Sequence, residues 1–205
     1  MAQSQKFSDG EEARGAWAKP LRPEEVSGEE YNKACGDKFK HMGNIVLDTS
    51  SRRQTTIDVV FISDSQKSQW IKISENIYMI TRNGKVMKIG GTRTGMAARW
   101  ISYKCGHCVP QRMKKSGTPF PGKMSVTNAH LYHTIEKDLL SEEPGNWSFW
   151  SWTLPETLVE VVILGEPTTV VAQTYHAYES KCIRKFTEVA GHIPQLCNNS
   201  DPSYR

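Results

Sequence analysis

Between Asn76 and Ile135 the chain has no aspartate and no glutamate. These sixty residues carry 10 Lys and Arg, in a protein whose net charge is only +4. The flanks differ: residues 1–75 hold 11 basic and 12 acidic residues, and residues 136–205 hold 5 and 10. The charge is therefore not evenly mixed. An electropositive block of this length points to a polyanionic partner, nucleic acid first. A solvated basic face without a ligand is the plainer alternative.

Other absences narrow the class further. No apolar run reaches 18 residues, and the mean hydropathy is -0.54, so no membrane-spanning helix is expected. No basic segment followed by an apolar one stands near Met1, so no secretory signal is expected. The five cysteines (Cys35, Cys105, Cys108, Cys182 and Cys197) are odd in number and scattered, which does not make a disulfide framework. A reducing, cytoplasmic setting is expected. Gly90 to Gly95 (GGTRTG) has glycines near phosphate-loop spacing, but no Gly-Lys-Ser/Thr follows, and neither GxGxxG nor GxSxG occurs. Internal repeats and low-complexity segments are missing too.

What remains is an ordinary globular composition: 205 residues, 38% hydrophobic and 23% charged. That suits one domain with an appendage. Residues 1–28 read as an arm, and residues 1–75 together as an N-terminal extension. A helix is predicted over Glu29–His41 and a strand over Thr56–Ile62, followed by a polar break at Asp64–Lys67. Asn76–Thr81 and Lys85–Gly90 are short β-type runs joined through Asn83-Gly84, which suits a type I′ hairpin turn. Met96–Lys104 is predicted helical, Cys105–Val126 a basic loop, and Thr127–Leu140 a helix with a capping residue at its start. Trp147–Trp152 and Leu158–Leu164 are β-like. Val170–Val189 is the longest helical pattern and stops at Gly191.

Two chemical constellations emerge. Cys105 and Cys108 form a CxxC, and His130 and His133 lie three apart on a predicted helix. Together they would make a structural Zn²⁺ site, although H-x2-H is shorter than usual finger spacing. The alternative is a thiol-bearing turn and two surface histidines. The second constellation is Tyr78 and Lys88 on the two hairpin strands, Arg99 and Tyr103 one turn apart on the following helix, and Glu179 in the last long helix. This set suits phosphodiester hydrolysis. A guanidinium stabilises charge on a pentavalent phosphate. A single carboxylate can hold Mg²⁺ with several waters. A phenol beside a cation can act as general base.

The order of these residues resembles the GIY-YIG nuclease superfamily. Asn76-Ile77-Tyr78 stands at the first motif and Lys88-Ile89-Gly90 at the second. Arg99-Trp100 and Tyr103 follow on a helix, then Glu179, then a terminal asparagine in PQLCNN, taken as Asn198 rather than Asn199. The likeness runs from Glu75 to about Asp201. Asn76 replaces the first glycine, and Lys88 replaces the second motif tyrosine, which is similar to a subset of the superfamily's type II restriction endonucleases.

The resemblance implies an α+β fold: a small, largely antiparallel sheet flanked by helices, with Leu158–Leu164 completing it. The nuclease domain would be residues 76–205, with an insertion at about 105–126. It implies a Mg²⁺-dependent (or Mn²⁺-dependent) DNA endonuclease with Tyr78, Lys88, Arg99, Tyr103, Glu179 and Asn198 as catalytic residues and Glu179 as metal ligand. Arg93, Lys104, Gln111, Arg112, Lys114, Lys115 and Lys123 would contact double-stranded DNA. A palindromic target would need a homodimer or homotetramer. The compact chain favours a restriction-type enzyme over a repair or homing role. A non-catalytic, zinc-containing nucleic-acid-binding module is the competing reading. Trp147, Phe149, Trp150 and Trp152 raise the further choice between base stacking and packing.

Overall fold

The computed structural model describes residues 18–23, 25–50, 56–105 and 126–197. In chain order the elements are α1 (Gly28–Ala34), β1 (Lys40–Asp48), β2 (Thr56–Phe61), α2 (Asp64–Trp70), β3 (Asn76–Arg82), β4 (Lys85–Thr92), α3 (Met96–Lys104), α4 (Val126–Leu139), β5 (Trp147–Thr153), β6 (Leu158–Ile163), β7 (Glu166–Val171) and α5 (Tyr175–Ala190). The fold is α+β, as expected. Five strands form one sheet in the order β2-β1-β5-β3-β4, and every pairing is antiparallel.

At β3 and β4 the sheet is buried on both faces, with alternate side chains entering opposite cores. Tyr78, Ile80 and Phe149 meet Trp100 and Tyr103 of α3 and Leu131, Tyr132 and Ile135 of α4. Ile77, Met79 and Ile89 meet Tyr31 of α1 and Cys182, Ile183 and Phe186 of α5. This explains why NIYMIT is apolar without a clean alternation: β3 is central and has no wet face.

The hairpin turn is as read. Asn83 and Gly84 have φ of 50° and 74°, the two positive values a type I′ turn requires. One feature of this hairpin was not legible. A β-bulge lies at Met87, between the pairs Ile80↔Lys88 and Thr81↔Val86. Counted from the turn without it, Lys88 would oppose Met79, whose side chain belongs to the other core. The extra residue moves Lys88 onto the face of Tyr78 and Ile80.

Several boundaries differ from the sequence reading. The helix expected through His41 stops at Ala34, since Gly36 and Asp37 take φ of 75° and 53°. Asn32 holds the exit by exchanging hydrogen bonds with the Phe39 backbone, and Lys40–Asp48 becomes a strand. The polar break at Asp64 is the start of α2, capped by Ser63. Residues 166–171 are β7, so the last helix begins at Tyr175 rather than Val170. Leu158–Leu164 does not complete the central sheet; its residues to Ile163 are β6, which pairs with β7 alone in a separate exposed hairpin. The central sheet is extended instead by β1 and β2, from the stretch read as an N-terminal extension. Among the described residues no helix is long and apolar enough to cross a membrane.

Candidate active site

The two halves of the proposed constellation meet at one end of the β3–β4 hairpin. Tyr78 on β3 and Tyr103 on α3 are wholly buried, and their hydroxyls are joined by a short hydrogen bond. Arg99, one turn before Tyr103, donates from Nε to Tyr78 Oη at 3.2 Å and from Nη2 to Tyr103 Oη at 3.0 Å. Its guanidinium also lies 4.5 Å from the Tyr103 ring centroid. One planar cation thus ties both phenols. Tyr78 is held in place by stacking on Phe149, at 5.6 Å between centroids.

Gly90 makes room for this. It pairs with Tyr78 across the strands, and a Cβ there would collide with the Tyr78 hydroxyl. A glycine at the end of the second motif is therefore a steric requirement of the buried tyrosine.

β4 is the edge strand of the sheet, and its outward backbone groups are taken up one by one. The Val86 N–H donates to the Val26 carbonyl, the Met87 carbonyl accepts from Leu196 N–H, and the Ile89 carbonyl accepts from the Cys197 thiol at 3.2 Å. The Gly91 N–H is bonded by the Glu179 carboxylate. Lys88, only 5% exposed, donates from Nζ to the Leu196 carbonyl at 3.1 Å.

Glu179 reaches this edge from α5. A Cβ on Gly91 would come within 3.1 Å of Glu179 Oε2 and 2.8 Å of the Tyr175 ring, so the bare glycine lets the helix approach. The start of α5 is fixed by Glu75, whose carboxylate accepts from the N–H and hydroxyl of Thr174. A carboxylate at a helix N-terminus also suits the helix dipole.

The electrostatics follow from burial and the cations. Burial pushes the Tyr78 phenol far above its ordinary value, as does neighbouring Tyr103, while Lys88 and Arg99 pull it down. Burial raises Tyr103 as well, against Arg99. Burial works against charge on Arg99, but the two phenols outweigh it and hold the guanidinium more firmly charged. Burial also lifts the Glu179 carboxyl above the usual range, with Lys88, His176 and Arg99 opposing. His176 Nδ1 lies 3.9 Å from its Oε2.

Thus Tyr78, Lys88, Arg99, Tyr103 and Glu179 form one cluster. Asn198 lies outside the described residues, as do Gln111, Arg112, Lys114, Lys115 and Lys123. Arg93 sits on the surface between β4 and α3, 3.4 Å from Gln173 Oε1. Lys104 pairs with Asp58 at 2.8 Å, an acid from outside the basic block. Of the zinc set, Cys108 lies outside the described residues, Cys105 is exposed, and His133 is buried 3.5 Å from Glu136. Among the described residues no three His, Cys, Asp or Glu side chains are grouped to hold a metal ion. A lone hard carboxylate does fit Mg²⁺, which takes few protein ligands and keeps its waters.

The aromatic run on β5 packs. Trp147 and Phe149 are buried. Trp150 stacks on His41 at 4.8 Å, and Trp152 packs edge-on against Phe39 and Tyr178.

The sequence reading missed Lys19. Burial depresses its ammonium, Lys88 depresses it further, and Cys197 opposes. Its backbone N–H donates to Thr134 Oγ1 of α4 at 2.9 Å. Only its basic character was visible beforehand.

Comparison with known proteins is sparse. No family model matches the chain, and no curated protein does. Among solved structures, restriction endonuclease HPY188I in complex with product DNA is 19% identical with a TM-score of 0.45, covering 86% of this chain and 88% of that one. A mutant of bacteriophage T4 EndoII is 15% identical with a TM-score of 0.46, covering 78% and 95%. Both scores are too low for the likeness to carry an inference.

Proposed function

We propose that this chain is a metal-dependent, site-specific DNA endonuclease of GIY-YIG type, a type II restriction enzyme in kind. The observation that carries this reading is the Arg99 guanidinium bonded to both buried phenols, on the sheet face to which the bulge delivers Lys88. Such a charge-dense, partly dry cluster has more to gain from a phosphate than from water.

In the proposed reaction, Arg99 holds a nonbridging oxygen of the scissile phosphate and stabilises the charge that builds there. Tyr78 takes the proton of the attacking water. At rest burial holds its phenol protonated, so that proton must first be released to solvent, and it is the phenolate left behind that accepts the proton of the attacking water. Tyr103, already hydrogen-bonded to it, then donates to the phenolate, and Lys88 offsets its charge. Glu179 would hold Mg²⁺, which when bound supplies a Lewis acid for the phosphate and the leaving oxygen. Asn198, Gln111, Arg112, Lys114, Lys115, Lys123 and Arg93 would contact the DNA backbone and bases, and a palindromic site would be met by a homodimer or homotetramer.

Supercoiled plasmid incubated with Mg²⁺ tests the proposal. Discrete linear fragments are expected, and EDTA should abolish them. Smeared products would remove site specificity, and Glu179→Ala cutting at the wild-type rate would remove the mechanism.

A further inference from the structure

Away from the Arg99 cluster, the end of α1 and the middle of α5 close around a cavity of about 380 Å³. Cys35, Cys182, Lys181, Lys185, Trp152 and Tyr178 line it. Cys35 caps α1 and is half-buried, Cys182 is 5% exposed, and both thiols are free. Two direct contacts hold the helices together here. Tyr31 of α1 donates from Oη to the Cys182 carbonyl at 2.7 Å, and Lys185 donates from Nζ to the Ala34 carbonyl. Tyr31 is one turn before Cys35, whose N–H donates to the Tyr31 carbonyl at 3.0 Å. Lys185 is one turn beyond Cys182. The two cysteines are thus bracketed on both sides, and Cys35 packs against the apolar cluster that contains Cys182.

A cysteine buried among apolar groups is inert, whereas one beside hydrogen-bond donors and an ammonium is held partly as thiolate, its nucleophilic form. The Cys182 thiol, with Tyr31 and Lys185, pulls Cys35 below the ordinary thiol range against the effect of burial. The same hydrogen bond, joined by burial, pushes Cys182 above it. The pair is split into an attacking thiol and a resting one, as disulfide exchange requires. The cavity has the volume of a small-molecule site. Lys181 and Lys185 suit an anionic ligand, and Trp152 and Tyr178 give the cavity an aromatic wall.

We propose that Cys35 and Cys182 form a redox-active dithiol that reacts with small anionic disulfides. The Cys35 thiolate attacks one sulfur of the disulfide, a mixed disulfide forms, and one thiolate leaves. Cys182 gives its proton to solvent and attacks the Cys35 sulfur. The Cys35–Cys182 bond forms and the second thiolate leaves. The chain is oxidised by two electrons, and the incoming disulfide is reduced to two thiols. No residue is shared with the Arg99 cluster, and the proposal does not depend on the nuclease reading.

The test treats the full, reduced chain with glutathione disulfide at neutral pH, alkylates the remaining thiols in denaturant, and maps the digest by mass spectrometry. A cross-linked pair of peptides joining Cys35 to Cys182 is expected. In Cys182→Ser the reaction should stop with glutathione on Cys35, and in Cys35→Ser the Cys182 thiol should stay free and alkylate fully. Cystamine, a cationic disulfide, should oxidise the wild-type pair about fivefold more slowly or worse, since the two lysines repel it. Full alkylation of Cys35 and Cys182 after a treatment that converts the exposed Cys105 would overturn the proposal. So would glutathione on Cys182 in Cys35→Ser, pairing of either cysteine with a different one, or cystamine reacting as fast as glutathione disulfide. The wild-type map decides the matter whatever the stability of the variants.

Discussion

The β3–β4 hairpin carries a buried or half-buried cation at each end, and the two ends are built on opposite principles. Near the turn, Arg82 makes a two-pronged pair with Asp138, at 2.9 Å and 2.8 Å. Asp138 also accepts from Gly145 N–H and from the Trp147 indole at 2.7 Å. Charge and hydrogen bonds close on themselves there. At the far end Arg99 has phenols as partners and Lys88 has a backbone carbonyl. Neutral acceptors satisfy the donors without cancelling the charge. A saturated pair of this kind supports structure, while a hydrogen-bonded but uncancelled cation is poised for an anion.

Substituting the two arginines should separate these roles most sharply. Arg99→Ala should cost about a thousandfold in plasmid cleavage with little change in melting temperature. Arg82→Ala should do the reverse: about 1–3 kcal/mol of stability lost in urea unfolding, because half-buried Asp138 loses its charged hydrogen-bond partner, and near-normal cleavage per folded molecule. An active but otherwise intact Arg99→Ala enzyme would break the contrast.

The two glycines give a second, smaller test. Gly90→Ala places a methyl on the Tyr78 hydroxyl and should reduce cleavage by about tenfold or more, through misplacement of the phenol. Gly84→Ala has open space around it but a φ of 74°, so it should cost about 1–2 kcal/mol of stability and leave kcat unchanged.

The smallest effects are those of pH on the acids. Burial works to raise Asp138, but Arg82, Trp147 and Gly145 outweigh it and hold its carboxyl below the usual range. Its stabilising contribution is therefore present above the unfolded pKa and is lost as pH falls through the lower folded value. Asp138→Asn should remove that part of acid denaturation. Glu179 has the opposite sign: its raised carboxyl favours the fold at low pH, and this contribution fades as pH rises through the folded value. Glu179→Gln should therefore melt higher than wild type at neutral pH without added metal, and cut nothing. A lower melting temperature would show that its carboxylate is a structural partner of Gly91.

Much of the geometry behind this contrast was visible in the chain. Asn83-Gly84 announced the turn, and Met96–Lys104 was bounded as it folds, so Arg99 and Tyr103 had to share a helix face. The bulge at Met87 left no mark, because MKIG reads as an even strand in either register. Lys19 left none either, since a lysine before a proline in a polar arm looks solvated. Leu158–Ile163 misled for a related reason: its β-branched run signals a strand, but strand propensity does not say which sheet it joins.

The sequence alone determined the local elements that short-range physics controls: the type I′ turn, the helix after Gly95, and the acid-free charge block. It also determined that any carboxylate meeting those cations must come from elsewhere. Tertiary structure decided which ones do. Asp138 and Asp58 fold back to pair directly with Arg82 and Lys104, while Glu179 reaches Gly91 and acts on Lys88 and Arg99 through its charge. The reason is range. Turns and helices are fixed by neighbours a few residues apart, whereas the pairing of charges 46 or 56 residues apart depends on which faces the packed sheet and helices bring together.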